Sequence, residues 1–166
     1  ETNKTSLRGI VEDLSDRKDL VPIIYLKRIK TDKYYYTCCS PEATHHILLS
    51  LLQRINDEYN PLTDEKEKLF PYNGSYVMKQ FQQINDSLGF GFVGSYRFFR
   101  THTLRKFHAS NLGTSAEIID ELEGRSKNTV HETYIKTKPD KLRTTYMEHM
   151  HNVMINTSDY IGPHLG

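Results

Sequence analysis

The chain is poor in cysteine. Its two thiols, Cys38 and Cys39, are neighbours. They cannot cross-link distant segments, and they do not make the spaced set that a structural zinc needs. Tryptophan is absent. Long apolar runs are missing as well: nothing approaches the roughly 20 residues that span a bilayer. Charge of one sign is not in excess, since 22 Lys and Arg face 21 Asp and Glu for a net charge of +1. That balance excludes a histone-like coat of charge, but not a local basic face. His45, His46, His149 and His151 make no evident metal cluster. The glycines between residues 89 and 101 lack both the lysine-threonine pair of a phosphate loop and dinucleotide-motif spacing.

What is present suits one domain of ordinary size: 166 residues, 37% hydrophobic, with 11 Tyr and 7 Phe. Residues 5–16 read as a short helix with Leu7, Ile10, Val11 and Leu14 on one side. The period then changes. Val21 to Arg28 and Lys33 to Cys39 are rich in β-branched and aromatic residues and predict an antiparallel hairpin turning at Thr31-Asp32, with Lys30 at its tip. Ser40-Pro41 reads as an N-cap and first helical position, opening a helix to about Glu58. Residues 59–74 read as a connector. Ser75 to Leu88 predict a helix with a buried stripe of Val77, Phe81, Ile84 and Leu88, closed by Gly89. A loop follows. A helix is then expected over 102–111, another over 115–123 stopped by Gly124, a short helical segment near 129–135, and a last helix from Pro139 to about Ile155. Leu142, Tyr146, Met150 and Val153 give that last helix an apolar stripe, for its own domain or for a neighbouring protomer. The expected class is mainly α with a small antiparallel β-sheet, an α+β domain over residues 1–155 with a flexible tail at 156–166.

The sharpest local feature is His102, Arg105 and Lys106. Offsets of three and four place them on one helical face, with Leu104 and Phe107 turned toward the core. Three such groups repel one another unless an anion sits among them, and a phosphate suits the rigid arginine fork. Plain solvated charge is the alternative. Arg28 and Lys33 near the hairpin tip, and Arg97 and Arg100 before the helix, extend the candidate basic face.

The surrounding order carries a resemblance. Thr101-His102-Thr103-Leu104-Arg105-Lys106 resembles the histidine-x-x-arginine box of tyrosine recombinases. Leu122-Glu123-Gly124-Arg125-Ser126-Lys127-Asn128-Thr129-Val130-His131-Glu132-Thr133-Tyr134 looks like the family's second box, in which a Leu-Gly-His stretch precedes the nucleophilic tyrosine. Lys30 is similar to the family's hairpin lysine. The resemblance covers roughly residues 18–155, is strongest near 97–138, and is closest to archaeal integrases. It implies the family's catalytic-domain fold, and a role in DNA integration and site-specific recombination, such as integration of a viral genome.

The resemblance also implies roles. Tyr134 attacks the scissile phosphate and forms a 3′-phosphotyrosyl link. Lys30 protonates the departing 5′-oxygen, Arg105 clamps non-bridging oxygens, and His102 and Arg125 hold the developing charge. Lys106, Arg28, Lys33, Arg97, Arg100 and Lys127 are the expected DNA contacts. The implied partners are double-stranded attachment sites and further copies of the chain, a tetramer on DNA, with no cofactor, metal or membrane. A cytoplasmic, nucleoid-associated location is expected.

Two departures stand out. Arg125 replaces the family's usual histidine or tryptophan. The first catalytic arginine should precede the hairpin lysine, and Arg8 in Thr5-Ser6-Leu7-Arg8 superficially resembles its box. The glutamate and leucines expected after that box are out of step. The arginine, with an amino-terminal DNA-clamping domain, is therefore expected upstream of residue 1, and Arg8 is kept as the alternative. A DNA-binding remnant without chemistry and a type IB-like topoisomerase are the competing functions.

Overall fold

The computed structural model describes residues 4–28, 32–55, 70, 72–125 and 138–157, with side chains from Arg8 onward. The described residues form a mixed α+β fold of six α-helices and two separate two-stranded antiparallel sheets. The chain divides into two compact units, one built from Glu1–Asn60 and Leu112–Gly166, the other from Pro61–Asn111.

The discontinuous unit opens with α1 (Lys4–Ser15), which packs on α2 (Pro41–Arg54). Of the stripe expected on α1, Val11 is buried, Leu14 half-buried and Ile10 exposed. Arg8 forms an ion pair with Glu12 at 2.9 Å and reaches the Ile55 carbonyl at 3.4 Å. It thereby serves one of the carbonyls that a helix end leaves without a partner. Between these helices lies the hairpin of β1 (Ile23–Arg28) and β2 (Lys33–Cys38), in register from Ile23 opposite Cys38 to Arg28 opposite Lys33. Asp32 closes the connection with φ of 56°, a left-handed conformation that Asp tolerates better than most residues, and its N–H donates to the Arg28 carbonyl. Lys30 lies outside the described residues.

Ser40 caps α2 by accepting from the Ala43 N–H, with Pro41 at the first position, as its sequence predicts. The helix ends at Arg54, short of the expected Glu58, because Ile55 has already left the helical conformation at φ −75°, ψ 114°; residues 56–58 lie outside the described residues. After re-entry at Leu112 come α5 (Ala116–Leu122), capped by Ser115, then α6 (Pro139–His149) and a 3₁₀ turn (Met150–Val153). The core gathers Val11, Val21, Ile55, Leu112, Ile119, Leu122, Leu142, Tyr146 and Met150. Leu142, Tyr146 and Met150 are thus covered within their own unit, so the expected apolar stripe is spent there. The last helix is also shorter than expected, ending at His149. The Glu42 carboxylate accepts from the Ile155 and Asn156 N–H groups at 3.0 and 3.1 Å, holding the start of the expected tail.

The second unit contains α3 (Gly74–Ser87), β3 (Phe92–Val93), β4 (Tyr96–Arg97) and α4 (Thr101–Asn111). Asn73 caps α3 by accepting from the Tyr76 N–H, so the helix begins at Gly74, one residue before the expected Ser75. Gly89 ends it with φ of 66°, its own N–H donating to Asp86 and the Phe90 N–H to the Asn85 carbonyl. This is the paired arrangement that a left-handed glycine allows after a helix.

Two expectations fail in this unit. The stretch read as a loop contains a short ribbon, because Gly94 supplies the positive φ that a two-residue hairpin turn needs. The apolar residues expected inside are not inside: Ile84, Leu88, Leu104 and Phe107 are exposed, while Val77 and Phe81 are half-buried. Among the described residues of this unit the one buried side chain is polar, Asn85, at 1% exposure.

Candidate nucleic-acid interface

The residues expected to bear chemistry fall into three groups. Lys30, Lys127 and Tyr134 lie outside the described residues, as does the short helical segment expected near 129–135. His102, Arg105 and Lys106 stand on α4 in the second unit, all exposed, with the spacing that keeps them on one helical face. Arg28, Lys33, Gly124 and Arg125 belong to the discontinuous unit.

In the discontinuous unit the turn end of the β1–β2 hairpin and the end of α5 are joined closely. Gly124 follows α5 with φ of 60°, its N–H donating to Glu121 while the Arg125 N–H donates to Asp120 at 2.8 Å. These bonds satisfy carbonyls that the helix end would otherwise leave open. A Cβ on Gly124 would lie 2.8 Å from the Tyr35 ring of β2. Glycine is therefore required here twice, by the backbone conformation and by the close ring. The Gly124 carbonyl accepts from Arg28 Nη1 at 2.9 Å, fixing the end of β1 against the turn that presents Arg125.

Arg125 is itself held in place: Nη1 stands 3.3 Å from Asp120 and Nη2 2.7 Å from Glu123. Two carboxylates offset its charge, so it enters any anion site at the cost of loosening these pairs. Lys33 is exposed opposite Arg28.

The second unit's two candidate arginines have different surroundings. Arg97 grips Asp86 with two parallel bonds, Nε to Oδ1 at 2.8 Å and Nη2 to Oδ2 at 2.9 Å, and lies over the Phe92 ring. The Arg97 guanidinium, with help from Asn85, holds the Asp86 carboxyl below its ordinary range. Arg100 instead places its guanidinium carbon over the Tyr96 ring, 4.3 Å from the centroid. A guanidinium over a ring face can still offer N–H groups to oxygen acceptors.

Two further features escaped the sequence reading. Asn85 pins the β3–β4 ribbon: its Nδ2 donates to the Gly91 carbonyl at 3.2 Å and its Oδ1 accepts from the Phe99 N–H at 2.8 Å. An asparagine four residues before a helix-ending glycine was the available signal. On the β1–β2 hairpin, Tyr25 stacks on Tyr34 at 4.9 Å and lies 4.8 Å from Tyr36, with Lys27 beside Tyr34. Strand alternation puts these four side chains on one face, opposite to that of Arg28 and Tyr35.

Among the described residues no group of His, Cys, Asp and Glu could hold a metal ion, and no helix is long and apolar enough to cross a membrane. No family model, curated protein or solved structure matches the chain.

Proposed function

We propose that the chain carries the catalytic machinery of a tyrosine recombinase of the integrase type, which cuts and rejoins DNA through a covalent 3′-phosphotyrosyl intermediate. The observation that carries this reading is the ordered set of sites along the chain. A hairpin loop contains Lys30. An exposed His102–Arg105 face on α4 follows. A glycine-stopped helix then presents Arg125, nine residues before Tyr134. The Arg28 bond to Gly124 supports the reading, because it joins the turn end of the hairpin, next to Lys30 in sequence, to the start of the nucleophile-bearing segment.

In this mechanism the Tyr134 oxygen attacks phosphorus as His102 takes its proton, and the bond to the 5′-oxygen breaks. Lys30 gives that oxygen its proton, so a 5′-hydroxyl departs. Equatorial charge that develops on the phosphorane-like transition state is stabilised by Arg105, His102 and Arg125. A free tyrosine, with a pKa of about 10, is a weak nucleophile at neutral pH and needs such cations near it. A 5′-hydroxyl of another strand then attacks the phosphotyrosine and restores a diester, which conserves the bond energy. Arg8 is engaged with Glu12 and the Ile55 carbonyl, and it remains the one candidate within the chain for the first arginine of the reaction.

The test is a nicked duplex bearing the attachment sequence, whose short 5′-hydroxyl fragment diffuses away once released, used with the complete polypeptide. A protein–DNA adduct that survives denaturation is expected. Tyr134→Phe keeps the ring and removes the attacking oxygen, so DNA binding persists and the adduct disappears. An adduct formed in full yield by Tyr134→Phe and mapped to another tyrosine overturns the assignment.

A further inference from the structure

The β3–β4 ribbon joins three properties that a passive connector does not need. It is rigidly mounted: Asn85 fastens both of its ends, at Gly91 and Phe99, and Arg97 clamps it to Asp86 of α3. Its tip is apolar and exposed, with Phe92 at 62%, Val93 at 65% and Tyr96 at 62%. Its surroundings are also cationic. From Phe70 to Asn111 the sequence holds Lys79, Arg97, Arg100, Arg105 and Lys106 against Asp86 as the lone carboxylate, and Arg97 already neutralises Asp86.

Exposed apolar side chains on a fixed scaffold lower the free energy of the folded chain only when a partner covers them. The charge around them favours an anionic partner. We propose that the β3–β4 ribbon enters a groove of duplex DNA, where Phe92, Val93 and Tyr96 press on the bases and Arg100, steadied on Tyr96, takes a flanking phosphate. A two-stranded ribbon is one of the elements the major groove admits, and apolar side chains there meet thymine methyl groups. Arg100 directly precedes α4, so this contact would seat the helix that carries His102 and Arg105 beside the backbone. The inference rests on the proposed DNA enzyme and adds the element that grips the substrate.

Salt separates the two kinds of contact. Phosphate contacts release counterions and set the slope of log affinity against log salt, whereas apolar contacts shift affinity by the same factor at every salt concentration. The probe is a fluorescein-labelled duplex of mixed sequence, titrated with the protein at several salt concentrations. Phe92→Ser and Val93→Ser are expected to weaken binding about tenfold throughout with the slope unchanged, a loss typical of one buried side chain. Arg100→Gln is expected to lower the slope by about one.

Since Phe92 supports Arg97, the Val93→Ser variant and a circular dichroism melt keep folding apart from binding. Tip variants that fold and bind as the parent does at every salt concentration overturn the proposal. So does unchanged DNA binding with altered self-association in sedimentation, which assigns the tip to a protein partner. Tip-dependent DNA binding without any phosphotyrosyl adduct leaves the ribbon standing and removes the nucleophile. An adduct with tip-independent binding does the reverse.

Discussion

The two units are stabilised by different means. In the discontinuous unit helices and hairpin bury aliphatic side chains, with Leu112 and Leu142 fully enclosed. In the Pro61–Asn111 unit the described residues bury one side chain, and it is an asparagine. There the order comes from a polar clamp, a bidentate ion pair and ring edges: Phe81 on Phe99 at 5.1 Å, Phe90 on Phe99 at 5.8 Å. Apolar burial is non-directional and scales with area. Hydrogen bonds in a buried clamp are directional and fix geometry more than they add net stability. The difference shows that one unit is built to be stable and the other to hold a short exposed ribbon in a fixed shape.

The largest effect that sharpens this contrast is expected at Leu142. Leu142→Ala leaves a cavity in the enclosed core and should lower the free energy of unfolding by about 3 kcal/mol, read from urea denaturation. Leu104→Ala, on the exposed side of α4, should change it by less than about 0.5 kcal/mol. Equal losses at the two positions would break the comparison.

Asn85→Ala removes the three hydrogen bonds of a buried side chain, to Gly91, Phe99 and Asp86, and should cost about 2 kcal/mol locally. Amide exchange at Phe99 and Phe90 should quicken while that of Leu112 and Leu142 holds. Asn85→Asp should preserve the bond to the Phe99 N–H and lose the one to the Gly91 carbonyl, giving an intermediate exchange rate.

Gly124→Ala must enter a left-handed conformation and displace the Tyr35 ring, at about 1–2 kcal/mol for the backbone alone. Here the discontinuous unit depends on geometry as the other does. The informative readout is the Tyr35 ring resonance, which should shift with Gly124→Ala and remain in place with Asn85→Ala.

The smallest effects are those of pH, and they have opposite directions in the two units. Burial, then the neighbouring Cys39, pushes the Cys38 thiol up to about 11, and burial with the two cysteines raises Tyr146 also. The folded state therefore holds these protons more tightly than the unfolded state. Their contribution is complete below the ordinary thiol and phenol values, about 8.5 and 10, and is lost as pH rises toward the folded values. Asp86 is shifted the other way by Arg97 and Asn85. Its contribution is present above the ordinary carboxylate value of about 3.9 and fades as pH falls through the depressed one. Melting curves should thus show alkaline loss in the signals of Leu142, and acid exchange spectra should show Phe99 opening first.

Much of the discontinuous unit was legible because its signals are local. Ser40-Pro41, Ser115 and Gly124 mark helix ends through chemistry that reaches three or four residues, and the runs of β-branched and aromatic residues marked the two strands of the hairpin. The ribbon was missed because three glycines between 89 and 94 and their neighbours read as a loop; Gly94 makes the turn, and Asn85 and Arg97 hold its flanks. The burial error on α3 and α4 has a related cause. Periodicity finds an apolar face but does not say what covers it. Of the candidate site, the face of His102 and Arg105 was visible from helical spacing alone. The engagement of Arg125 by Asp120 and Glu123, and of Arg28 by a carbonyl 96 residues away, depends on contacts that no local pattern encodes.

That separation of 96 residues bears on how the molecule is made. A chain emerging from the ribosome delivers the β1–β2 hairpin long before the turn at Gly124, and the Pro61–Asn111 stretch comes between them. Closing so long a loop carries an entropic penalty that grows only logarithmically with its length. Collapsing the intervening stretch into its own unit shortens the span that must be closed. The polar clamp at Asn85 draws on partners within 14 residues, so it can set early, during synthesis. The aliphatic core has to wait for Leu112, Leu122 and Leu142 to arrive. The contacts of the polar clamp are thus local in sequence, while the aliphatic core gathers residues as far apart in the chain as Val11 and Leu142.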